Sequence, residues 1–359
     1  MTIKTNITEM FGIKHPIVNA PMGPFRTTEL AIAVAEAGGL GTISHTTVSM
    51  DGYEKNNLEA LKKNLDYVVE HTDGIFGFNI ITSRNIVDCD NLISGAAKHI
   101  MANPKLREQC LYALSSAGSS RRMPENKEFQ KLRKATEIKH FHVSPALWLA
   151  DKSVASGCDG LVITGFEGGG HQSYEKVGGM VLQQQVQQKY PDIPRIACGG
   201  YATGAGLAAA LSLGAGAIAM GSRFIASKDS EFHENYKNVV PPAKAQDTII
   251  RTGALGTIRY WRNKFALSKG LVKTKEEKIA EEKALTDHRS AITEDELAEE
   301  LRKDAKAAFA AYQGDMENGG VLIGQSIGIV NKIESVSDII DTIVKDAEKS
   351  LKTAIKYVQ

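Results

Sequence analysis

Short apolar runs alternate with amphipathic stretches along the first 225 residues of the chain. The apolar runs do not alternate with polar residues, which is typical of strands that are covered on both faces. We predict eight strands, at residues 17–20, 40–44, 75–79, 111–115, 138–143, 160–164, 194–198 and 217–221. The stretches between them repeat apolar residues at helical spacing and predict helices at 27–37, 53–70, 91–101, 125–135, 145–155, 180–188 and 203–213.

Eight strands joined by helices predict an α/β fold of the (β/α)₈ TIM-barrel type, whose usual length is about 250 residues. A doubly wound open sheet shows the same alternation, but the count of eight favours the barrel. After residue 231 the pattern changes, and a Lys/Glu/Ala-rich segment at 270–304 predicts an exposed helix. We therefore predict a barrel over 1–230, a smaller, mainly helical region over 231–325 near the barrel mouth, and a C-terminal helical segment over 326–359 that returns to the barrel.

Composition narrows the function classes. The 359 residues include 43 Lys plus Arg and 42 Asp plus Glu, and this balance argues against a broad electrostatic surface for nucleic acid or for a membrane. No apolar stretch approaches the ~20 residues that a membrane-spanning helix needs. The four cysteines lie far apart and no HxH or HExxH pattern occurs, so we predict no metal site. The first residues do not resemble a signal peptide, so we expect a cytoplasmic protein.

Glycines cluster at the predicted carboxyl ends of the strands, where barrel enzymes carry their active sites. Gly199-Gly200 follows strand seven, and Gly221-Ser222 follows strand eight directly after Met220. The turns after these two strands are the usual phosphate site of this barrel, because backbone N–H groups at helix starts favour anions. Glycine also makes tight turns possible without any ligand, but two such turns at these strands favour phosphate binding.

His171 is the most informative of the nine histidines, because it follows three glycines beyond strand six. At that position its ring is expected over the barrel mouth, where it can transfer a proton near neutral pH. A histidine that only binds loop backbone is the alternative, and Glu167 either orients His171 or is an exposed loop carboxylate. His142 is expected to pack or to contact a ligand, and Trp148 is expected to pack its helix against the barrel. These residues leave a non-redox sugar-phosphate isomerase or aldolase open, although no lysine occupies an obvious strand end.

Several segments, in order, carry a resemblance to a known family: VNAPMGPFRTTELAIAVAEAGGLGTIS, GFNI, TGFEGGGH, PRIACGGYATGAGLAAALSLGAGAIAMGSRFIAS, RYWRNKFA and GDMENGGVLIGQSIG. Together they resemble nitronate monooxygenases, formerly 2-nitropropane dioxygenases, whose superfamily includes FMN-dependent enoyl-thioester reductases. The resemblance implies a barrel that binds FMN, with His171 as the active-site histidine. The residues that it implies around FMN are Ala20, Pro21, Met22, Asn79, Ser116, Gly169, Gly170, Gly199, Gly200, Met220, Gly221, Ser222 and Gln325.

The chain departs from the family pattern around the histidine. The sequence GGGHQSYEKVGG is longer and more polar than usual. Thr164 stands where members often carry an acidic residue, and Val143 stands where some members carry a lysine. The resemblance implies oxidation of alkyl nitronates by FMN and O₂ to a carbonyl compound and nitrite. The alternative is an enoyl-thioester reductase or desaturase of acyl-CoA or acyl carrier protein that uses NAD(P)H. Both act on small molecules, and a homo-oligomer is compatible with either.

Overall fold

The computed structural model describes residues 3–83, 88–253, 256–268 and 294–358, with the side chains of 294–302 left out. Eight parallel strands form one sheet, in which each strand from the second to the seventh lies beside the strand that follows it in the barrel. They are Ile17–Asn19, Gly41–Ile43, Phe76–Ile81, Cys110–Ser116, Lys139–Ser144, Gly160–Thr164, Arg195–Cys198 and Ala217–Met220. The first strand pairs with the eighth, and a parallel bridge between Val18 and Leu40 joins it to the second strand. The predicted (β/α)₈ barrel is confirmed.

The helices around the barrel follow the predicted order. Those that cross from one strand to the next are Thr28–Glu36, Asn57–His71, Cys89–Ala102, Pro104–Gln109, Arg122–Glu125, Lys127–Ala135, Leu147–Ala155, Gly179–Lys189 and Gly204–Ser212. Helices Asn6–Phe11, Ser222–Ile225, Glu234–Val239, Lys264–Leu267, Glu294–Tyr312 and Val336–Ile355 complete the described set, with short 3₁₀ turns at Ala245–Asp247 and Gln325–Ile329. None of the helices within the described residues is long and apolar enough to cross a membrane.

The barrel interior is apolar and is covered at its amino-terminal end. Residues of alternate strands, such as Leu114 and Val162, fill the interior. Helix Asn6–Phe11 lies below them, and the Phe11 ring contacts the rings of Tyr112 and Phe141 at centroid distances of 5.6 and 5.8 Å. Since this end is packed with side chains, a ligand reaches the barrel from the opposite end, at the carboxyl ends of the strands.

The region after the eighth strand contains strands that the sequence analysis did not predict. Thr248–Gly253 and Gly256–Trp261 form an antiparallel hairpin, and Gly170–His171 from the sixth strand's loop pairs with it as a third strand. The hairpin is rich in β-branched residues, which favour strands, but it lies in a region whose charged segments suggested helix. Residues 270–293 of the predicted charged helix lie outside the described residues, whereas Glu294–Tyr312 is helical.

An aromatic cluster attaches this later region to the barrel. Phe25, in the loop after the first strand, contacts Phe232, Tyr236 and Tyr312 at ring-centroid distances of 5.1 to 5.8 Å. Aromatic pairs at such distances add to the stability gained from burial alone. The cluster therefore fixes the later region beside the carboxyl ends of the strands.

Candidate active site

A cavity of about 1140 Å³ opens at the carboxyl ends of the strands. Twelve of the fourteen residues proposed from the sequence line this cavity, and they come from the ends of six different strands. These twelve are Ala20, Pro21, Met22, Asn79, Ser116, Gly169, Gly170, His171, Gly199, Gly200, Gly221 and Ser222. The described residues contain no group of three His, Cys, Asp or Glu side chains that could hold a metal ion.

Met220 and Gln325 are not among the lining residues. Met220 is 1% exposed and packs in the cluster that contains Leu30 and Val34 of the first crossover helix. Its neighbour Ala219 faces the barrel interior, and successive strand residues point to opposite faces. Gln325 donates its backbone N–H to the Glu167 carbonyl at 2.8 Å, so its segment adjoins the cavity through other residues.

Two backbone segments meet where the three-glycine loop packs against the late segment. A Cβ atom at Gly169 would lie 2.6 Å from the Ile323 carbonyl carbon, and one at Gly324 would lie 2.7 Å from the Gly169 nitrogen. Neither position leaves room for a side chain, because backbone atoms cannot move aside as a flexible side chain can. The two separately recognised motifs, TGFEGGGH and GDMENGGVLIGQSIG, therefore form one wall of the cavity.

His171 lines the cavity and is half-buried. Its backbone pairs with Ile258 of the hairpin, and the next residue, Gln172, donates its N–H to the Thr257 carbonyl at 2.8 Å. Strand pairing restricts the backbone on both sides of the histidine. The ring is thus carried on a fixed element, which a residue that transfers protons requires.

Arg259, on the same hairpin, holds the loop that leads to His171. Its guanidinium donates to the carbonyls of Phe166 and Gly168 at 2.8 and 3.1 Å and to the Thr248 hydroxyl at 2.8 Å. The residue is 3% exposed, and burial lowers the pKa of Arg259 to about 10. It remains charged at neutral pH, so charge-assisted hydrogen bonds tie the loop to the hairpin.

We predict that Arg259→Met lowers the free energy of unfolding by about 2 kcal/mol, because buried carbonyls lose their donor. Thermal unfolding of the purified protein measures this as a drop of a few degrees. Arg262→Met is the matched control, since Arg262 is exposed near the end of the same hairpin. Equal unfolding temperatures for the two variants would contradict the role assigned to Arg259.

Glu167 caps a helix rather than lying free in the loop. Its two carboxylate oxygens accept the Gly179 N–H at 3.1 and 2.9 Å, at the start of helix Gly179–Lys189. The carboxylate satisfies an N–H that has no partner within the helix, and its charge suits the helix amino terminus. We therefore assign Glu167 to the helix rather than to His171.

We predict that Glu167→Ala destabilises the protein by about 1 kcal/mol, which is the usual cost of losing a capping side chain. Glu167→Gln keeps a carbonyl oxygen and is expected to lose less. Chemical denaturation of both variants checks this order. A larger loss in the glutamine variant than in the alanine variant would overturn the assignment.

Two buried histidines lie outside the cavity lining. The Ser115 hydroxyl contacts His140 Nε2 at 2.8 Å and His142 Nδ1 at 2.7 Å, and both histidines are fully buried. Burial lowers the pKa of each to about 3, so both are neutral at physiological pH. Of the two roles considered for His142 from the sequence, packing is the one that the structure shows.

Two polar pairs position residues of the cavity wall. Asn79 donates its amide N–H to the Leu114 carbonyl at 3.1 Å and to the Ser116 hydroxyl at 3.0 Å. The Met22 N–H donates to the Ser44 hydroxyl at 2.7 Å. These bonds restrict the Asn79 amide and the loop after the first strand before any ligand binds.

The two glycine turns lie side by side, because the seventh and eighth strands are paired. Gly199 and Gly200 have φ angles of +83° and +86°. The Ser222 hydroxyl oxygen accepts the Gly324 N–H at 2.9 Å, which leaves its own hydrogen for an acceptor in the cavity. The nearby Arg223 guanidinium instead pairs with Glu334. The turns therefore offer an anion backbone N–H groups and a hydroxyl rather than a cationic side chain.

The outer part of the cavity carries residues that the sequence analysis did not place there. Arg121 follows the fourth strand, while Trp148 and Lys152 lie on helix Leu147–Ala155 after the fifth, and all three line the cavity. The prediction that Trp148 packs its helix against the barrel was wrong, since its side chain is 37% exposed. Lys152 is exposed as well. The sequence signal that could have indicated Trp148 is that its helix, Leu147–Ala155, begins directly after the fifth strand and therefore starts at the carboxyl end of the barrel.

The chain is similar to enzymes of two kinds, to one over nearly its whole length and to the other over about seven-tenths of it. It is 28% identical to a (3aS,4S,5R,7aS)-5-hydroxy-7a-methyl-1-oxo-octahydro-1H-indene-4-carboxyl-CoA dehydrogenase of Rhodococcus jostii, over 98% of this chain and 97% of that protein. It is 28% identical to a probable nitronate monooxygenase of Staphylococcus aureus, over 71% of this chain and 77% of that protein.

Solved structures agree with the barrel. FabK of Thermotoga maritima has a TM-score of 0.77 and 29% identity, over 99% of this chain and 100% of that one. A nitroalkane oxidase of Streptomyces ansochromogenes has a TM-score of 0.70 and, at 20% identity, shows the fold alone. The family model for nitronate monooxygenase matches residues 4–346. The chain therefore belongs to the nitronate monooxygenase family and is an oxidoreductase.

Proposed function

We propose that this protein is an FMN-dependent oxidoreductase that acts on the α,β carbon–carbon bond of an acyl thioester. The observation that carries this proposal is the lining of the cavity of about 1140 Å³, in which the glycine turns and His171 adjoin an uncharged apolar wall at Val143, Leu149 and Val162. The Rhodococcus relative, which is named for a CoA thioester, supports it, because the similarity covers 98% of this chain. FabK, at 29% identity, also matches over the full length.

The inner cavity fits FMN. Its phosphate would be held by the Ser222 hydroxyl and by the backbone N–H groups of the turns at Gly199-Gly200 and Gly221-Ser222. Among the described lining residues there is no carboxylate that would repel this phosphate. Its ring would lie against Ala20-Pro21-Met22, near the Asn79 amide. When bound, FMN supplies a reversible two-electron acceptor, so the protein provides orientation and proton transfer.

His171 would act at the α-carbon of the thioester. When the bond is oxidised, a ring nitrogen of His171 would take the α-proton, and the β-hydrogen would leave as a hydride whose electron pair FMN would accept. When the bond is reduced, the hydride and the proton would return to the same carbons. The hairpin keeps the backbone at His171 fixed, and the apolar wall formed by Val143, Leu149 and Val162 suits an acyl chain. Val143 also stands where some family members carry a lysine, so this wall is without a charge.

The first test is the visible spectrum of the FMN-loaded protein under anaerobic conditions. We expect the oxidised flavin bands to be bleached by NAD(P)H and restored by an enoyl-CoA, or to be bleached directly by a saturated acyl-CoA. Flavin bands that respond to none of these thioesters, in either direction, would refute the proposal. If the protein does not retain FMN, the proposal that FMN is its cofactor is refuted.

Oxidation of alkyl nitronates is the second candidate, and family membership together with the Staphylococcus relative favours it. In this reaction His171 would deprotonate a neutral nitroalkane where that substrate is accepted. Nitrite released from a nitronate in the presence of O₂ is the measurement. Flavin bleached by a nitronate but by no thioester would place this function first.

A further inference from the structure

We propose that Arg121, Lys152 and Trp148, which we call the cationic mouth, bind an adenosine group that carries phosphates. This group belongs either to a CoA thioester substrate or to an NADPH donor. The inference rests on the proposed function, and it assigns the outer part of the cavity to the end of the ligand that does not react. None of the three residues belongs to the FMN site proposed above.

Charge distribution is the first observation. Arg121 and Lys152 are the permanently charged side chains among the described residues that line the cavity, and no Asp or Glu lines it there. The chain as a whole is balanced, with 43 basic and 42 acidic residues. A cavity with cations alone, in an almost neutral protein, concentrates the field on an anionic ligand.

Nearby acidic side chains are engaged with other partners. The Asp151 carboxylate, next to Lys152 in the sequence, pairs with the Lys189 ammonium and accepts a hydrogen bond from the Tyr190 hydroxyl, each at 2.8 Å. In the part of the chain that the structure describes, neither Arg121 nor Lys152 forms an ion pair, although exposed lysines elsewhere do. Both cations therefore remain available to phosphate oxygens, which Arg and Lys bind by charge-assisted hydrogen bonds.

An aromatic surface lies beside these charges. The Lys152 ammonium is 4.8 Å from the centre of the Trp148 ring, and the Tyr174 ring lies 6.4 Å from Trp148 at an interplanar angle of 18°. Tyr174 belongs to the loop after His171, which is longer and more polar here than the family pattern. A planar base stacks on such rings, whereas a simple phosphate or an alkyl nitronate has no aromatic ring that could stack on them.

The order of groups along the cavity matches an extended ligand. Around the carboxyl edge of the barrel, the glycine turns follow the eighth and seventh strands and His171 follows the sixth. The apolar residues Val143, Leu149 and Val162 belong to the fifth and sixth strands and the helix after the fifth, and the cationic mouth follows the fifth and fourth strands. A CoA thioester has the same order of a reacting carbon, a linear arm and a phosphorylated nucleotide. An NADPH molecule shares the nucleotide end, so the two sources must be separated by experiment.

The first experiment measures binding by calorimetry, with FMN-loaded protein and two probes, free CoA and NADP⁺. We expect Arg121→Ala and Lys152→Ala each to weaken binding of one probe about tenfold, because each removes a charge-assisted contact to phosphate. Lys152→Arg is expected to restore most of the affinity. Lys105→Ala is the control, since it removes one exposed charge from helix Pro104–Gln109, which leads into the amino-terminal end of the fourth strand.

The outcome names the source of the nucleotide. Weaker binding of CoA alone assigns the mouth to the thioester, and weaker binding of NADP⁺ alone assigns it to the donor. Unchanged affinity for both probes in both alanine variants, or an equal loss in Lys105→Ala, overturns the proposal. Because both probes bind without turnover, this result is independent of whether the thioester reaction occurs.

The second experiment compares turnover of an acyl-CoA with that of the same acyl pantetheine thioester, which lacks the nucleotide. If the mouth holds the CoA nucleotide, its alanine variants raise the KM for the CoA substrate about tenfold and leave the pantetheine substrate unchanged. Equal effects on both substrates would overturn a role for the mouth in nucleotide binding. If no thioester is turned over but CoA binding still depends on Arg121 and Lys152, the proposed function fails while the binding site stands.

Discussion

His171→Ala is expected to slow reduction of the bound flavin by substrate by about 10²–10⁴-fold, which is the usual contribution of a positioned acid or base. The reason is that His171 is the histidine among the described cavity-lining residues, a residue type suited to proton transfer, and its backbone is held by pairing with Ile258. Alanine leaves this strand pairing in place. The loss should therefore appear in the rate and not in the amount of FMN bound.

Stopped-flow absorbance of the anaerobic, FMN-loaded variant measures this rate in a single turnover. His171→Gln separates hydrogen bonding from proton transfer, because glutamine can bind substrate but cannot take its proton. His71→Ala is the control, since His71 lies exposed on a helix and does not line the cavity. A His171→Ala enzyme that reduces its flavin at the normal rate would remove this residue from the mechanism.

Most of the barrel was predictable because each strand is buried on both faces. The predicted strand 160–164 coincides with Gly160–Thr164, and the others shift by one or two residues at their ends. An apolar run that must be covered on both sides leaves little freedom for its position. The glycine turns were predictable for a related reason, since their place is determined by the strand ends that precede them.

The surroundings of His171 were not predictable in the same way. Its partner strand, Gly256–Trp261, lies more than 80 positions away in the sequence, and no local pattern reports a pairing over that distance. The role of Arg259 follows only from that pairing, because its guanidinium reaches the carbonyls of Phe166 and Gly168 across the new sheet. The RYWRNKFA motif marked the segment as notable without indicating what it touches.

The cationic mouth was missed for a different reason. Arg121 directly precedes helix Arg122–Glu125 and Lys152 lies in the last turn of helix Leu147–Ala155, and single charged residues at such positions are usually solvated and without a ligand. Only the structure shows that both face one cavity that lacks carboxylates in its described lining. Met220 illustrates the opposite error, since it sits within a recognised motif but its strand directs the side chain away from the cavity.

Gly200→Val is expected to weaken FMN binding by about 5- to 30-fold. Gly200 lies in the turn after the seventh strand at φ +86°, a conformation that costs a residue with a side chain roughly 1–2 kcal/mol. A Cβ atom there would lie 3.3 Å from the Glu167 Cβ, so the position is tight but not blocked. In the Gly200→Val variant we expect the turn to relax to a different backbone conformation when FMN is absent. Binding of FMN must then restore the strained conformation, and the free energy that this costs lowers the affinity.

Gly157→Val provides the matched control for backbone strain. Gly157 has a φ angle of +77°, a Cβ atom there meets nothing within 4 Å, and the residue does not line the cavity. Both variants should lose similar stability in thermal unfolding, but only Gly200→Val should release FMN, as measured by flavin fluorescence on titration. If both variants bind FMN as tightly as the parent protein, the turn after the seventh strand does not hold the phosphate. A loss of FMN in both would instead show that general destabilisation, and not this turn, controls cofactor binding.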